Sequence, residues 1–452
     1  MKHYFLLTIT LLLTTNLSAA PPKPPRIITR FLWQDAATLS VHTADLLATS
    51  PLTLSPITTV ANFPKLDPDK QTLVQMEGSS GFILVGVRDK EDGKFQSGWI
   101  LIDTGVDEEP HGDHSHWYYR RAPKALAQVL DDKQGNPAHL YQYDGVFYMA
   151  NDKNDGFTRF DPKGLKPTDS AATIISRAAF HKGGGGHITL AAVDNKTAFS
   201  TWIDRDGENK GRVDVVRLNS KGSTDIAASF HLPTGGIHGA TACAGKVFFA
   251  PSEGICWTDG VFASQTPKVN HIDLGKDDLN ESRPRRTGAF NTFQNRYVAF
   301  TSGKGESTRL HTIDATQPSL QLNTVDLAFQ PDDHASSVEI IKYRQSSPLA
   351  FIFHDHEEES EVTTPCKLSV IKLDPNNDGN WQDAKLEKSL EVGPSKLEGH
   401  NGHHNITFDQ ARRYAAFTNP GDGTLTLLSI ESMSILQTLP ATKSPSKIIA
   451  VP

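Results

Sequence analysis

Short runs of Val, Ile, Phe, Thr and Tyr recur along the chain, each closed by a turn rich in Gly, Asp, Asn or Pro. That spacing predicts β-strands throughout. Few segments carry a helical period; the best is 123-PKALAQVL-130, where proline stands before helix formers and predicts a short helix. The strands group into larger units. Compare 139-HLYQYDGVFYMANDKNDGFTRFD-161, 187-HITLAAVDNKTAFSTWIDRDGENKGRVDVVRLN-219, 238-HGATACAGKVFFAPSEGICWTDG-260 and 404-HNITFDQARRYAAFTNPGDGTLTLLSIE-431. Each runs strand, turn, strand, glycine-and-acid turn, strand. The first three begin 48 and 51 residues apart, the period of a four-stranded propeller blade.

Further units begin near Val60, Thr287 and His334. The N-terminal piece 31-FLWQDAATLSVHTADL-46 has no inner strand, and the C-terminal 445-PSKIIAVP-452 lacks outer ones. Joined, the two complete one blade and close the ring, leaving no sheet edge open. The expected fold is therefore all-β: a closed β-propeller of eight blades, or seven if one unit has been split, with the terminal strands sharing a blade. A β-sandwich array would not explain the complementary ends.

The first residues, MKHYFLLTITLLLTTNLSAA, change the picture of where this ring works. Lys2, the apolar run Tyr4 to Leu13 and the small residues Ser18, Ala19 and Ala20 predict a secretory signal over 1–19, cleaved after Ala19. Residues 20–452 then form a single propeller domain, with a histidine-rich loop inserted near 107–122. No later apolar run reaches the ~18 residues of a membrane span. Charge is mildly acidic, 45 Lys+Arg against 52 Asp+Glu, with basic residues scattered apart from Arg283, Arg285 and Arg286, so nucleic acid is excluded as a partner. Three cysteines cannot build a disulfide scaffold or a four-cysteine zinc site. Cys243 and Cys256 flank the strand KVFFA, which in an oxidising compartment predicts a hairpin disulfide with Cys366 left free and buried.

Histidine carries the candidate chemistry. His139, His187, His238, His334, His400, His403 and His404 all stand just before or at the first strand of a unit. In a propeller that strand lines the central channel, so residues distant in sequence converge around one axis. The segment 111-HGDHSH-116 adds His111, Asp113, His114 and His116 on a connection expected between two units, long enough to fold over the same mouth. A solvated polar loop is the alternative for that segment. His354 and His356 follow a strand and are expected to point away from the mouth; His42, His181, His231, His271 and His311 are expected to be ordinary surface or core residues. Neutral imidazoles with an occasional carboxylate suit a borderline divalent ion, zinc first. The acids 107-DEE-109 can attract cations or orient the ligands.

These marks together resemble the AztD-type periplasmic zinc metallochaperones. The resemblance spans nearly all of the mature chain. It runs through ATLSVHTADL, IDTGVDEEPHGDHSH, GNPAHLYQYDGVFYMANDKNDG, GGGGHITLAAV, IHGATA with GICWTDG, RRTGAF, and the closing GTLTLLSIE with SKIIAVP. The HGDH and IHG elements are its specific parts. It implies a propeller that holds zinc and passes it to the solute-binding protein of a zinc ABC importer. By position, the family's mobile histidine loop matches His111, Asp113, His114 and His116. Its strand-preceding histidines match His187, the histidine of its LHG element matches His238, and its last-blade histidines match His403 and His404. Where the family has two adjacent histidines this chain reads Gly186-His187. The cysteine before the LHG element is absent, while Cys256 fits the later GC position.

The combined expectation is a monomeric periplasmic zinc carrier, not an enzyme. Its mouth site is drawn from His187, His238 and His404 with His114 or His116 from the loop, and His139 and His403 stand beside it. Two rival classes stay open: a metal-dependent propeller enzyme (a hydrolase or a copper enzyme), and an interaction scaffold with no metal.

Overall fold

The computed structural model describes residues 24–452 apart from 113, 262–266, 279, 357–364 and 399–400. The expected signal segment and Asp113 lie outside the described residues, as does His400. Eight sheets of four or five antiparallel strands form a ring of eight blades. Blade 1 takes Ile27–Asp35, Ser40–Leu47 and Thr53–Leu54 from the N-terminus, and its innermost strand, Pro445–Val451, from the C-terminus. Blades 2 to 8 follow in chain order over 71–131, 140–182, 190–231, 240–272, 291–326, 334–391 and 406–440.

The ring is held by what lies between the blades. Eight apolar clusters fill the eight junctions, one each. Successive side chains of a strand point to opposite faces. Leu32 therefore packs towards blade 2, while Phe31 and Trp33 pack towards blade 8. The second strands of the blades are buried on both faces, which is why runs such as FILVGV and LAFIF are continuously apolar rather than alternating.

Three expectations are corrected here. The segment 123–130 is not a helix: Lys124–Asp131 is the outer strand of blade 2, paired with Ser97–Asp103. Pairing with a neighbouring strand has overridden the helical preference of Ala, Leu and Gln. The histidine-rich insertion consequently falls inside blade 2, between its third and fourth strands, and not between two units. All three cysteines are unpaired thiols. Cys243 and Cys256 stand on strands separated by a third, and they face different blade junctions, so no disulfide can span them.

Two carboxyls from blades three apart around the ring enter the channel, Glu77 of blade 2 and Glu339 of blade 7, with Lys447 3.8 Å from Glu77. Enclosure by the ring, reinforced by the Glu77 charge, pushes the Glu339 carboxyl up to about 7 against the pull of Lys447. A raised folded value means the folded chain binds this proton more firmly than the unfolded one. That contribution is full below the ordinary glutamate range and is lost as pH rises to about 7. Glu339→Gln should therefore melt higher than the parent at pH 8, by on the order of 1–2 kcal/mol because the channel partly solvates the group, with the gap closing at pH 5. Melting curves at the two pH values check this; an equal offset at both would contradict it.

Candidate metal centre

Antiparallel order gives the ring two chemically different ends. Loops that lead into first strands share one end with the second-to-third connections; first-to-second and third-to-fourth turns share the other. His139, His187 and His238 stand one to three positions before the first strands of blades 3, 4 and 5. Those blades are adjacent, and the three partly buried imidazoles meet at the channel mouth. Nε2 of His187 lies 2.9 Å from Nε2 of His139 and 3.2 Å from Nε2 of His238. A tetrahedral zinc ion with bonds of about 2.0–2.1 Å separates its nitrogen ligands by about 3.3 Å. The spacing is thus close to that of a filled site. His187 Nε2 faces two other ring nitrogens and has a single in-plane position for a hydrogen or a lone pair, so it cannot make both contacts as good hydrogen bonds. A cation between the three nitrogens satisfies all of them at once.

The ring orientation of His187 is set from behind. Its Nδ1 donates to Asp152 Oδ2 at 3.3 Å, which leaves the Nε2 lone pair for the mouth. Asp152 is buried, accepts the Ile188 backbone N–H at 3.0 Å, and faces Arg88 at 3.4 Å. Sequence reasoning missed Asp152. Its signal was positional: it directly follows the second strand of blade 3, at the same end of the ring as the lead-in histidines. Asp152→Asn places an amide NH₂ opposite Nδ1, favouring the tautomer with hydrogen on Nε2. Zinc affinity should fall about 10–100-fold, the usual cost of losing such an outer partner. Chelator competition reads this directly, and an unchanged affinity would remove Asp152 from the site.

The other histidines separate into two further groups. In Val106–His111 and His114–Tyr119, a two-stranded hairpin, alternation puts Val106, Trp117 and Tyr119 on one face and Glu109, His111, His114 and His116 on the other. The first face docks on the core between blades 1 and 2. The second displays three exposed imidazoles with ring centroids 5.0–5.5 Å apart. Of the three acids, Asp107 is bound by Arg121 at 2.6 and 2.8 Å and Glu108 accepts from Ser115, leaving Glu109 on the histidine face. Because this hairpin joins a third strand to a fourth, it springs from the end of the ring opposite the His139, His187 and His238 cluster. Tyr119 donates to the Ile28 carbonyl and Arg30 to the Thr104 carbonyl, fixing its base at that far end. It does not cap the mouth.

His404 is also not at the mouth cluster. It stands on blade 8, half a turn around the ring from His187. Its Nδ1 and that of His403 both reach Asp355, while its Nε2 donates to the Gly393 carbonyl at 2.9 Å. His354, expected to point away, is the last residue but one of the second strand of blade 7, at the lead-in end of the ring. It is buried there between Asp333 and Ser369, stacked on Phe329.

No family model and no curated protein matches the chain. Solved structures do. AztD from Citrobacter koseri superposes with a TM-score of 0.62 at 17% identity, over 94% of this chain and 97% of that one. Its apo form gives 0.61 at 16%, over the same shares. The chain has an AztD-type fold. NirN, a dihydro-heme d1 dehydrogenase, follows with a TM-score of 0.57 at 13% identity, over 94% of this chain and 77% of that one. At these identities the AztD-type likeness concerns the fold alone.

Proposed function

We propose that this chain is an exported zinc-binding metallochaperone that hands zinc to the solute-binding protein of a zinc ABC importer. The observation that carries the proposal is the convergence of the His139, His187 and His238 ring nitrogens at the channel mouth. The AztD-type fold and the sequence marks given above support it. Three imidazoles held on lead-in loops by the ring offer zinc a rigid half-site. The remaining coordination position opens on the mouth, where an acceptor's ligand can enter before any of the three leaves, so the ion passes without being released. The exposed hairpin histidines at the far end offer a second, weaker binding surface suited to capture. The working compartment is the periplasm, with 1–19 as the export signal.

A hydrolase is the second reading, because three imidazoles with an open position also describe a catalytic zinc site. Against it, Asp152, the carboxylate beside the cluster, is occupied by His187, Arg88 and a backbone N–H. Zinc-loaded protein mixed with a periplasmic zinc-binding acceptor should transfer its ion faster than the ion dissociates into a chelator. Transfer no faster than dissociation, or rapid turnover of an ester substrate, would sink the carrier reading.

A further inference from the structure

Across the ring from the mouth cluster, at the junction of blades 7 and 8, lies a buried group that the carrier reading does not use. Asp355 ends the second strand of blade 7, and Cys366 directly precedes its third. His404 stands on the loop leading into blade 8. All three are buried, and their donor atoms lie within 4.8 Å of one another. We propose that Asp355, Cys366 and His404 form a second metal site containing a sulfur ligand, for a borderline or soft divalent cation such as zinc or cadmium.

Each side chain is already set for that role. The Gly393 carbonyl accepts only, so His404 Nε2 carries hydrogen and Nδ1 is the atom turned to the cluster. This is the backbone carbonyl partner that metal-bound imidazoles commonly keep. Burial pushes the Cys366 thiol up, and the Ser395 backbone N–H, donating to Sγ at 3.4 Å, offsets part of that in favour of the thiolate a metal would bind. His403 holds the second oxygen of Asp355 at 2.7 Å, leaving Oδ1 for the cluster. His403 is one-third exposed and marks the side from which an ion enters. Phe353 stacks on His404 at 4.8 Å and limits its rotation.

Binding a divalent ion requires the Cys366 thiol to give up its proton; the thiolate and the Asp355 carboxylate then match the two charges of the ion. A cysteine–histidine–aspartate nucleophile is not built here, because His404 Nε2 faces the Gly393 carbonyl and not the sulfur. Sulfur distinguishes this site from the all-nitrogen mouth cluster and gives it a preference for softer ions.

The proposal is independent of zinc delivery, and its test reads sulfur ligation. Mature protein with His139, His187, His238, His111, His114 and His116 all changed to Ala is titrated with Co²⁺ under reducing, anaerobic conditions. One equivalent should bind and give a near-ultraviolet thiolate-to-cobalt charge-transfer band. Adding Cys366→Ser should abolish the band, while Cys243→Ser should leave it. If the six-site variant does not fold, the same comparison is made on otherwise unchanged protein at two or more equivalents of Co²⁺, with the Cys366→Ser variant as the control. Cobalt binding without the band, a band that survives Cys366→Ser, or no binding beyond the histidine clusters overturns the site.

Discussion

The His187→Ala, His238→Ala double variant is expected to lose zinc binding at the channel mouth while keeping its fold and leaving the Asp355, Cys366 and His404 group untouched. Zinc held by four protein-like ligands is worth about 10–16 kcal/mol near neutral pH, so each ligand accounts for about 3 kcal/mol, roughly a hundredfold in affinity. Removing two of the three converging imidazoles should weaken binding by roughly 10⁴-fold or more and leave His139 as the one imidazole of the three. Neither side chain belongs to an apolar cluster between blades, so the melting temperature should barely move. Deleting the hairpin histidines, by contrast, should leave the tight site intact, because they sit at the opposite end of the ring. Elemental analysis and chelator competition on the three proteins decide the matter. If the double variant retains wild-type affinity and the hairpin variant does not, the site belongs to the hairpin and the mouth assignment is wrong. Affinity should also fall as pH drops through ~6.5, where free imidazole takes a proton.

The blades were legible because each repeats strand and turn signals at a near-constant period, and because the two chain ends complement one another. The phase of the histidines was legible too: standing before a first strand fixes the end of the ring. Phase does not fix the angle around it. His187 and His404 share a phase, yet blades 4 and 8 face one another across the channel, and only the structure shows that His139 is the nearer companion. The misplaced hairpin has a definite cause. Reading 123–130 as a helix removed the outer strand of blade 2. The insertion then looked like a link between blades, which would emerge at the mouth. Once Lys124–Asp131 is a strand, the insertion becomes a third-to-fourth connection and changes ends. One local preference, overridden by strand pairing, moved three histidines across the molecule. Asp152 and Asp355 escaped notice because acids are common at turns; what singles them out is the imidazole each one holds.

Cutting the chain after Ser444 should be the most damaging change of all. It removes Pro445–Val451, the inner strand of blade 1, and opens the ring where the two termini meet. The exposed edge belongs to Ile27–Asp35, whose residues from Thr29 onward are all buried in the closed form. Lost with the strand are Thr29 to the Val451 carbonyl, the Ile448 N–H to Asn405 and the Ala450 N–H to Thr407, which tie blade 1 to itself and to blade 8. Ile448 fills the junction of blades 8 and 1 and Val451 that of blades 1 and 2. Ile448→Ala alone should cost about 2–5 kcal/mol. Against a whole-domain stability of about 5–15 kcal/mol, losing the entire strand leaves no stable ring. An unpaired strand edge of this length also invites pairing between chains, so the truncated protein should aggregate. Size-exclusion chromatography and melting curves would show this, with Ile448→Ala falling between the parent and the truncation. Supplying the peptide PSKIIAVP during refolding should restore part of the monomer by filling the vacant position. A truncated chain that stays monomeric with an unchanged melting temperature would mean that the seven remaining blades hold the ring without the terminal clasp.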